Sequence, residues 1–432
     1  MQLNSGQSKA VHYMVNGFLT SEFKGMTLLG EGGTGKTTCV MFAAEEWVKA
    51  GLKVLFCAPT NKAVKQLEKA AKNYGLESTQ LNFYTLHKAL GLAMLPNEER
   101  KYSAQVGTPF IGEFDVVVLD EGSMVSSVAT FRYMLPELQE TSTKLLIMGD
   151  KMQLPPVREQ RSATLELDGY PAFELTEVER FESSSSIASV TKELRKAIES
   201  KQRFSFDSEI LGVKTVKPAY FVKEALDHFD KDTDLEQTRV LAWTNARVDL
   251  VNDSIRKKIY GKGVKTFEIG ERVVTGAPIY DNKELILSTD EECIITNVQE
   301  TSYMIEDTGV EYNSYLLTLE PIYAGISTVF CQVIHESSQI EFNEELAKIA
   351  DRASRDKKVW QEYHNLKDLF SIIKYCYCIT VHRSQGSTYK KVLVDTDNIL
   401  KNRNPTERNK LLYVAFSRAS EELITSKEKF VS

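Results

Sequence analysis

Long apolar runs are missing from this sequence. Nowhere in its 432 residues does one approach the roughly eighteen needed to span a bilayer, so insertion in a membrane is not expected. The opening Met1-Gln2-Leu3-Asn4-Ser5-Gly6 has no basic segment leading into an apolar one, so export through a secretory signal is not expected either. Cysteine is sparse: six residues (Cys39, Cys57, Cys293, Cys331, Cys376, Cys378) with no C-x-x-C pair. That scatter argues against a zinc knuckle and a disulfide framework and predicts a reducing cytosol, bacterial or that of a phage-infected host. Only 11 prolines and 23 glycines are present, which excludes collagenous and low-complexity disordered classes. An excess of positive charge is also lacking. Fifty-three Lys and Arg stand against 60 Asp and Glu, a net charge of -7, so total charge gives no support for nucleic-acid binding. No internal repeat is visible, and the only low-complexity tract is Ser183 to Ser186.

What is present is a globular composition, 42% hydrophobic and 26% charged, at a length that predicts two to four domains. Charge is uneven along the chain. Met1 to Tyr74 holds nine Lys against five Glu, whereas Asp281 to Glu311 holds nine acidic residues against Lys283 alone. A bound phosphate belongs with the first stretch rather than the second. Through the first 180 residues, short β-rich apolar runs (Thr27 to Leu29, Val54 to Cys57, Val116 to Leu119, Lys144 to Met148) alternate with helical patterns. Apolar strands separated by crossover helices predict a parallel sheet covered on both faces. Between Leu92 and Ile111 the alternation lapses, which reads either as a small projecting insertion or as a disordered loop. A second α/β pattern runs from about 181 to 262 and resumes over 372–432. Between its halves, strand-like runs at Glu271 to Thr275, Cys293 to Val298, Tyr303 to Glu306 and Tyr315 to Leu319 predict a small inserted β-barrel, followed by a pair of packed helices to residue 371.

Chemistry concentrates in a few places. Gly30-Glu31-Gly32-Gly33-Thr34-Gly35-Lys36-Thr37 fits G-x-x-x-x-G-K-[ST] and lies between a strand and a helix, as a phosphate-cradling loop must. Its glycines let successive N–H groups turn inward, Lys36 reaches the β- and γ-phosphates, and the Thr37 hydroxyl binds Mg²⁺. The run Val116 to Leu119 ends in Asp120-Glu121, two carboxylates at the carboxyl end of a buried strand. Asp120 suits Mg²⁺ and Glu121 the role of general base on the attacking water. A further strand leads into Gly149-Asp150-Lys151-Met152-Gln153-Leu154-Pro155-Pro156-Val157, which brings Gln153 beside the same site.

The ordered set of Gly30 to Thr38, Ala58-Pro59-Thr60-Asn61-Lys62-Ala63, Asp120 to Met124, Gly149 to Val157, Val381-His382-Arg383-Ser384-Gln385-Gly386-Ser387-Thr388 and Leu412 to Ala419 resembles the superfamily 1 helicases. The dialect is that of their RecD-like branch and its Dda-like phage members. That resemblance implies two RecA-like parallel-sheet domains, 1–180 and 181–262 with 372–432, an SH3-like barrel and helical pair over 263–371, and a strand-separation element at about 92–111. It implies ATP-dependent unwinding with 5′-to-3′ movement on single-stranded DNA, ATP and Mg²⁺ as cofactors, forked duplex as substrate, replication or recombination proteins as partners, and a monomer. By residue, Gln7 corresponds to the adenine-reading glutamine. Gly32, Gly33, Thr34, Gly35, Lys36, Thr37, Thr38, Gln385 and Gly386 fall on nucleotide-binding positions, and Arg180 and Arg418 on arginines that approach the γ-phosphate. For DNA, the implied contacts are Thr60, Asn61, Lys62, Thr85, His87, Thr244, Asn245, His382 and Arg383. Read without the family, Arg180 and Arg418 are surface salt bridges and His87 and His382 ordinary loop residues. The implied divider at the fork is an aromatic ring, Tyr102 or Phe110, the latter alternatively a core anchor. Three departures stand out: Gly30-Glu31-Gly32-Gly33 where relatives more often have a proline or alanine in the loop, Gly122 where a β-branched residue is common, and Arg383 where Lys is frequent.

Two other classes are weighed. A small-molecule kinase or GTPase shares the phosphate loop, but Asn61-Lys62 is followed by Val64 where N-K-x-D needs an aspartate, and a kinase gives no reason for the second α/β unit. A DNA-binding ATPase that remodels complexes without separating strands shares every motor part.

Overall fold

A computed structural model describes residues 3–96, 101–105, 107–156, 159–178, 186–204, 213–281, 284–305 and 309–426. The chain falls into two compact units, one of Met1–Leu90, Pro109–Lys262 and Tyr377–Ser432, the other of Gly91–Thr108 and Gly263–Cys376.

In the first unit lie two parallel sheets. The strands of the amino-terminal half are β1 (Gly25–Gly30), β2 (Val54–Ala58), β3 (Leu81–Thr85), then after a hairpin of β4 (Leu92–Pro96) and β5 (Lys101–Gln105) come β6 (Val116–Leu119), β7 (Lys144–Gly149) and β8 (Ala172–Leu175). They order as β3-β2-β6-β7-β1-β8, all parallel. Residues of β1, β2 and β6 are buried throughout, which explains why those strands read as unbroken apolar runs. Met26, Phe56, Val118 and Met148 join Trp47 of the helix Lys36–Lys49 and Leu67 of the helix Asn61–Asn73 in one core. Both helices stop at a glycine cap: Gly51 and Gly75 have φ of 85° and 70°, and Leu52 and Leu76 N–H groups reach back to Trp47 and Ala71, the hydrogen bonds of a Schellman ending.

The second sheet takes β9 (Lys214–Val216), β10 (Thr238–Ala242), β18 (Cys378–Thr380), β19 (Tyr389–Val394) and β20 (Ala419–Ser426) in the order β18-β10-β19-β20-β9, again parallel. Its helices Ser186–Glu199 and Pro405–Ser417 pack on one another. The chain is therefore α/β with two parallel sheets, each carrying its loops of interest at the carboxyl ends of its strands.

In the second unit β11 (Arg272–Thr275), β14 (Glu292–Met304), β15 (Glu311–Pro321), β16 (Val329–Ile334) and β17 (Ile373–Tyr375) form an antiparallel sheet in the order β16-β15-β14-β11-β17, beside a hairpin of β12 (Ile279–Asp281) and β13 (Glu284–Leu287). Ser371, just ahead of β17, donates its N–H to Gln332 on β16 at 2.6 Å, so the sheet's edges meet. The run Cys293 to Val298 and the residues Tyr303 and Met304 belong to one 13-residue strand, bulged between Ile295 and Asn297; polar Asn297, Gln299 and Glu300 disguise its continuity, and Glu306 lies outside the described residues. Tyr375 still pairs in the antiparallel sheet, and the parallel strand starts three residues on, at Cys378. Helices Gln339–Arg355 and Trp360–Lys367 follow β16, and Phe342, Ile349, Leu366 and Phe370 form a satellite core with Tyr312. All six cysteines are buried, and none forms a disulfide. No helix among the described residues is long and apolar enough to cross a membrane.

Candidate active site and DNA-facing loops

The loop after β1 owes its shape to local bonds. Gly33 and Gly35 adopt φ of 92° and 83°, open to glycine at little cost. A side chain at Gly35 would bring its Cβ within 2.3 Å of Gln7 Nε2. Thr34 donates its hydroxyl to Glu31 O at 2.9 Å, so this predicted ligand shapes the loop from within. The Lys36 ammonium donates to Gly30 O at 2.7 Å and Glu31 O at 3.0 Å, bonds a phosphate oxygen could replace. Gln7 is buried; its carbonyl oxygen accepts from Asn4 N at 3.0 Å and its amide donates to Thr34 O at 3.1 Å. Both ends of the amide thus hold the first helix (Ser5–His12) against the phosphate loop, a positioning role that purine reading does not require.

Asp120 and Glu121 follow β6. Asp120 accepts from the Glu121 N–H at 2.8 Å, and burial raises its carboxyl above the usual range against the pull of Lys36. Burial, with the Asp120 charge next, pushes Glu121 up to about 7, while Arg418 and Lys36 pull it down. That direction suits a base that must take a proton near neutrality. Glu121 also has φ 50°, ψ 40°, a left-handed backbone that costs a non-glycine residue about 1–3 kcal/mol. Gly122 has a plain steric reason: a Cβ there would sit 2.5 Å from Ile147 Cγ2, so the β-branched residue expected at that position does not fit this packing.

The second sheet completes the site. Arg418, at the end of the helix Pro405–Ser417, is buried and donates to Val414 O, Ser387 O and Ser417 Oγ at 3.0–3.1 Å. A cavity of about 380 Å³ collects Gly32, Gly33, Gly35, Lys36, Thr37 and Thr38 from the first domain with Asp120, Glu121 and Gln153, and Gly386, Thr388 and Arg418 from the second. A Cβ added at Gly386, φ 74°, would sit 3.6 Å from Glu121 Cγ and Oε1. Gln385 is buried, donating to Leu154 O at 3.1 Å and to Gln153 Oε1 at 3.5 Å. Ala63, from the motif run after β2, also lines this cavity, as does Gln66, which no sequence motif singles out. Gln66 is one turn beyond Lys62 on the helix after β2, a position with no motif signal of its own. Arg180 lies outside the described residues.

The AAA domain model matches residues 2–207 and the UvrD-like helicase C-terminal domain model matches 375–425. The ATP-dependent DNA helicase Dda of Enterobacteria phage T4 is 27% identical, across 91% of this chain and 92% of its own. The chain is similar to superfamily 1 helicases of the Dda- and RecD-like group. The ATP-dependent RecD2 DNA helicase of Deinococcus radiodurans is 29% identical over 155 residues, 36% of this chain. In fold, this helicase resembles the Pif1 helicase from Bacteroides in complex with ADP-AlF3 and single-stranded DNA, with a TM-score of 0.54, 16% identity, and cover of 99% of this chain and 93% of that one.

In this helicase the residues proposed for DNA sit at the ends of β2, β3, β10 and β18. Thr60 and Thr85 cap helices, accepting from Ala63 N at 3.2 Å and Lys88 N at 3.3 Å. Burial lowers the pKa values of His87 and His382, which keeps both rings neutral. Lys62 turns toward the second sheet, with its ammonium 3.7 Å from Glu236 and 5.3 Å from the Tyr389 ring centroid. Asn245 is exposed and Arg383 half-buried. Thr244 accepts from Asn398 Nδ2 at 3.2 Å, and Asn398 also receives the Trp243 and Thr244 N–H groups; Asn398, which carried no motif signal, therefore shapes this loop. Phe110 packs edge-on against Tyr84 with centroids 5.3 Å apart. Tyr102 pairs with Leu95 across the β4–β5 hairpin, and its side chain lies outside the described residues.

Proposed function

We propose that this chain is an ATP-dependent DNA helicase that translocates 5′ to 3′ on single-stranded DNA and unwinds forked duplex. The observation that carries the reading is the single cavity in which Lys36, the Asp120–Glu121 pair and Arg418 meet, the first three from one parallel sheet and the fourth from the other. ATP bound there spans two domains, so its hydrolysis changes what holds them together. A kinase has no use for such a contact.

The donor set fits Mg-ATP: a glycine cradle that a Cβ at Gly35 would fill, one ammonium, one hydroxyl and two buried carboxylates. Thr37 and Asp120 would hold Mg²⁺, which supplies charge neutralisation on the phosphates when bound. Glu121 takes the proton of the attacking water, Lys36 leaves its carbonyl partners for phosphate oxygen, and Arg418 stabilises charge developing on the transferred phosphoryl group. Gln153, joined to Gln385 across the cleft, relays loss of that phosphoryl group; Arg180 is assigned, by the family resemblance, a second arginine role toward the γ-phosphate.

Domain 1 is taken as 1–180, domain 2 as 181–262 with 372–432. The insertion 263–371 is read as an SH3-like barrel with a helical pair, supported by the meeting of β16 with the chain before β17, and the hairpin near 92–111 as the strand divider. Thr60, Asn61, Lys62, Thr85, His87, Thr244, Asn245, His382 and Arg383 would track the DNA strand, with phosphate contacts released each cycle. The protein is read as a cytoplasmic monomer serving replication or recombination. The test is ATP turnover with and without single-stranded DNA. Strong stimulation supports the motor reading, and turnover indifferent to DNA refutes it.

A further inference from the structure

The glutamate that sets this phosphate loop apart from the family pattern has a partner in the second α/β domain. Arg195 projects from the helix Ser186–Glu199, which packs on the helix Pro405–Ser417. Its Nη1 lies 3.6 Å from Glu31 Oε2, 3.4 Å from Asp150 Oδ1 and 3.4 Å from the Tyr413 hydroxyl, and its Nη2 lies 3.8 Å from Glu174. Tyr413 in turn donates to Asp150 Oδ2 at 2.5 Å. Glu31 and Asp150 lie on loops after strands of the first sheet and Glu174 on its strand β8; Arg195 and Tyr413 lie on the two helices of the second domain.

We propose that Arg195 is a positioning residue that couples the state of the phosphate loop to the seating of the second motor domain, through Glu31 on one side and Asp150 and Tyr413 on the other. The inference rests on the ATP-driven reading of the site and extends it. One guanidinium nitrogen is shared among three acceptors, none at the 2.7–2.9 Å of a tight charge-assisted bond, so it can shift from one to another at small cost. Glu31 is where a nucleotide would act on it. Its carbonyl accepts from Lys36 Nζ and from the Thr34 hydroxyl, so a phosphate that claims Lys36 removes one of the bonds fixing the Glu31 backbone. Its carboxylate is partly buried, with Arg195 the strongest of the charges holding it ionised against that burial. A shift at Glu31 therefore changes the share of Arg195 left for Asp150, which opens the strand-end loop that leads to Gln153.

The test is the affinity of a fluorescent oligo-dT for the full chain with and without a non-hydrolysable ATP analogue, beside DNA-stimulated ATPase kinetics. In the wild type the analogue changes DNA affinity. In Arg195→Ala and Glu31→Gln that change should shrink to less than about twofold, with kcat down about tenfold and KM for ATP within about twofold. The double variant should be no worse than the worse single one, and Arg195→Lys should recover part of the coupling. Glu31→Gln leaves Arg195 its other partners, so a folding defect confined to Arg195→Ala does not decide the matter. Normal coupling in Glu31→Gln, or losses that multiply in the double variant, overturns the inference alone. A wild-type chain without DNA-stimulated turnover overturns the motor reading and this inference with it.

Discussion

Replacing Glu121 by glutamine should make the nucleotide-free protein more stable while removing most of its turnover. The Glu121 carboxyl is pushed from the ordinary 4.5 to about 7, and at about 1.4 kcal/mol per tenfold change in proton affinity the ionised side chain costs the fold about 3 kcal/mol. Because Glu121 keeps some surface open to the cavity, about 2–3 kcal/mol is the better figure. The sign follows from proton binding: the folded protein holds this proton more tightly than the unfolded chain. Stability is therefore lost as pH rises from 4.5 toward 7, and the cost is fully present above 7. Glutamine keeps the shape without the charge. Thermal melting of both proteins at pH 5 and pH 8 should show a gain on the order of 5 °C for Glu121→Gln at pH 8 and little at pH 5, while turnover falls by about 10²- to 10⁴-fold. A variant no more stable than wild type at pH 8, or equally stabilised at both pH values, would refute the claim that burial and Asp120 raise this carboxyl.

Lys36→Ala should abolish ATP turnover yet leave nucleotide-free binding of single-stranded DNA intact, as a filter-binding assay would show; normal stimulated turnover would move the phosphate site elsewhere. Arg418→Ala should lower kcat by about 10²- to 10³-fold with little change in ATP affinity, because its charge is needed where charge develops; a proportional loss of affinity would make it a ground-state ligand. Tyr102→Ala should weaken unwinding of a 5′-tailed fork with normal single-strand-stimulated turnover. Phe110→Ala, packed on Tyr84, should instead lower the melting temperature. If Tyr102→Ala unwinds normally, the divider lies elsewhere.

The parts legible in the sequence were those where a local pattern and a burial pattern agree. Val116 to Leu119 is apolar on both faces and ends in two acids, so both its strand and its site could be read. The strands Leu81–Thr85 and Ala172–Leu175 at the edges of the first sheet carry half-exposed, mixed residues and gave no such signal. In Ala419–Ser426 the polarity of Ser420, Glu421 and Glu422 hides a strand that is buried at Ala419 and over its last four residues. Gln7 was visible as a motif residue, but its bonds to Asn4 and Thr34 depend on a helix cap and a loop 27 positions away. Glu31 could be marked as unusual. Its partner Arg195, 164 residues later, lies on a helix whose surface charges look alike in sequence.

Unwinding of a forked duplex with one single-stranded tail, run separately for a 5′ and a 3′ tail with ATP and Mg²⁺, tests the central claim most directly. The account predicts ATP-dependent separation of the 5′-tailed fork and little of the 3′-tailed one, with Lys36→Ala inactive on both. Robust DNA-stimulated hydrolysis with neither fork separated would contradict it, leaving a translocase that does not part strands.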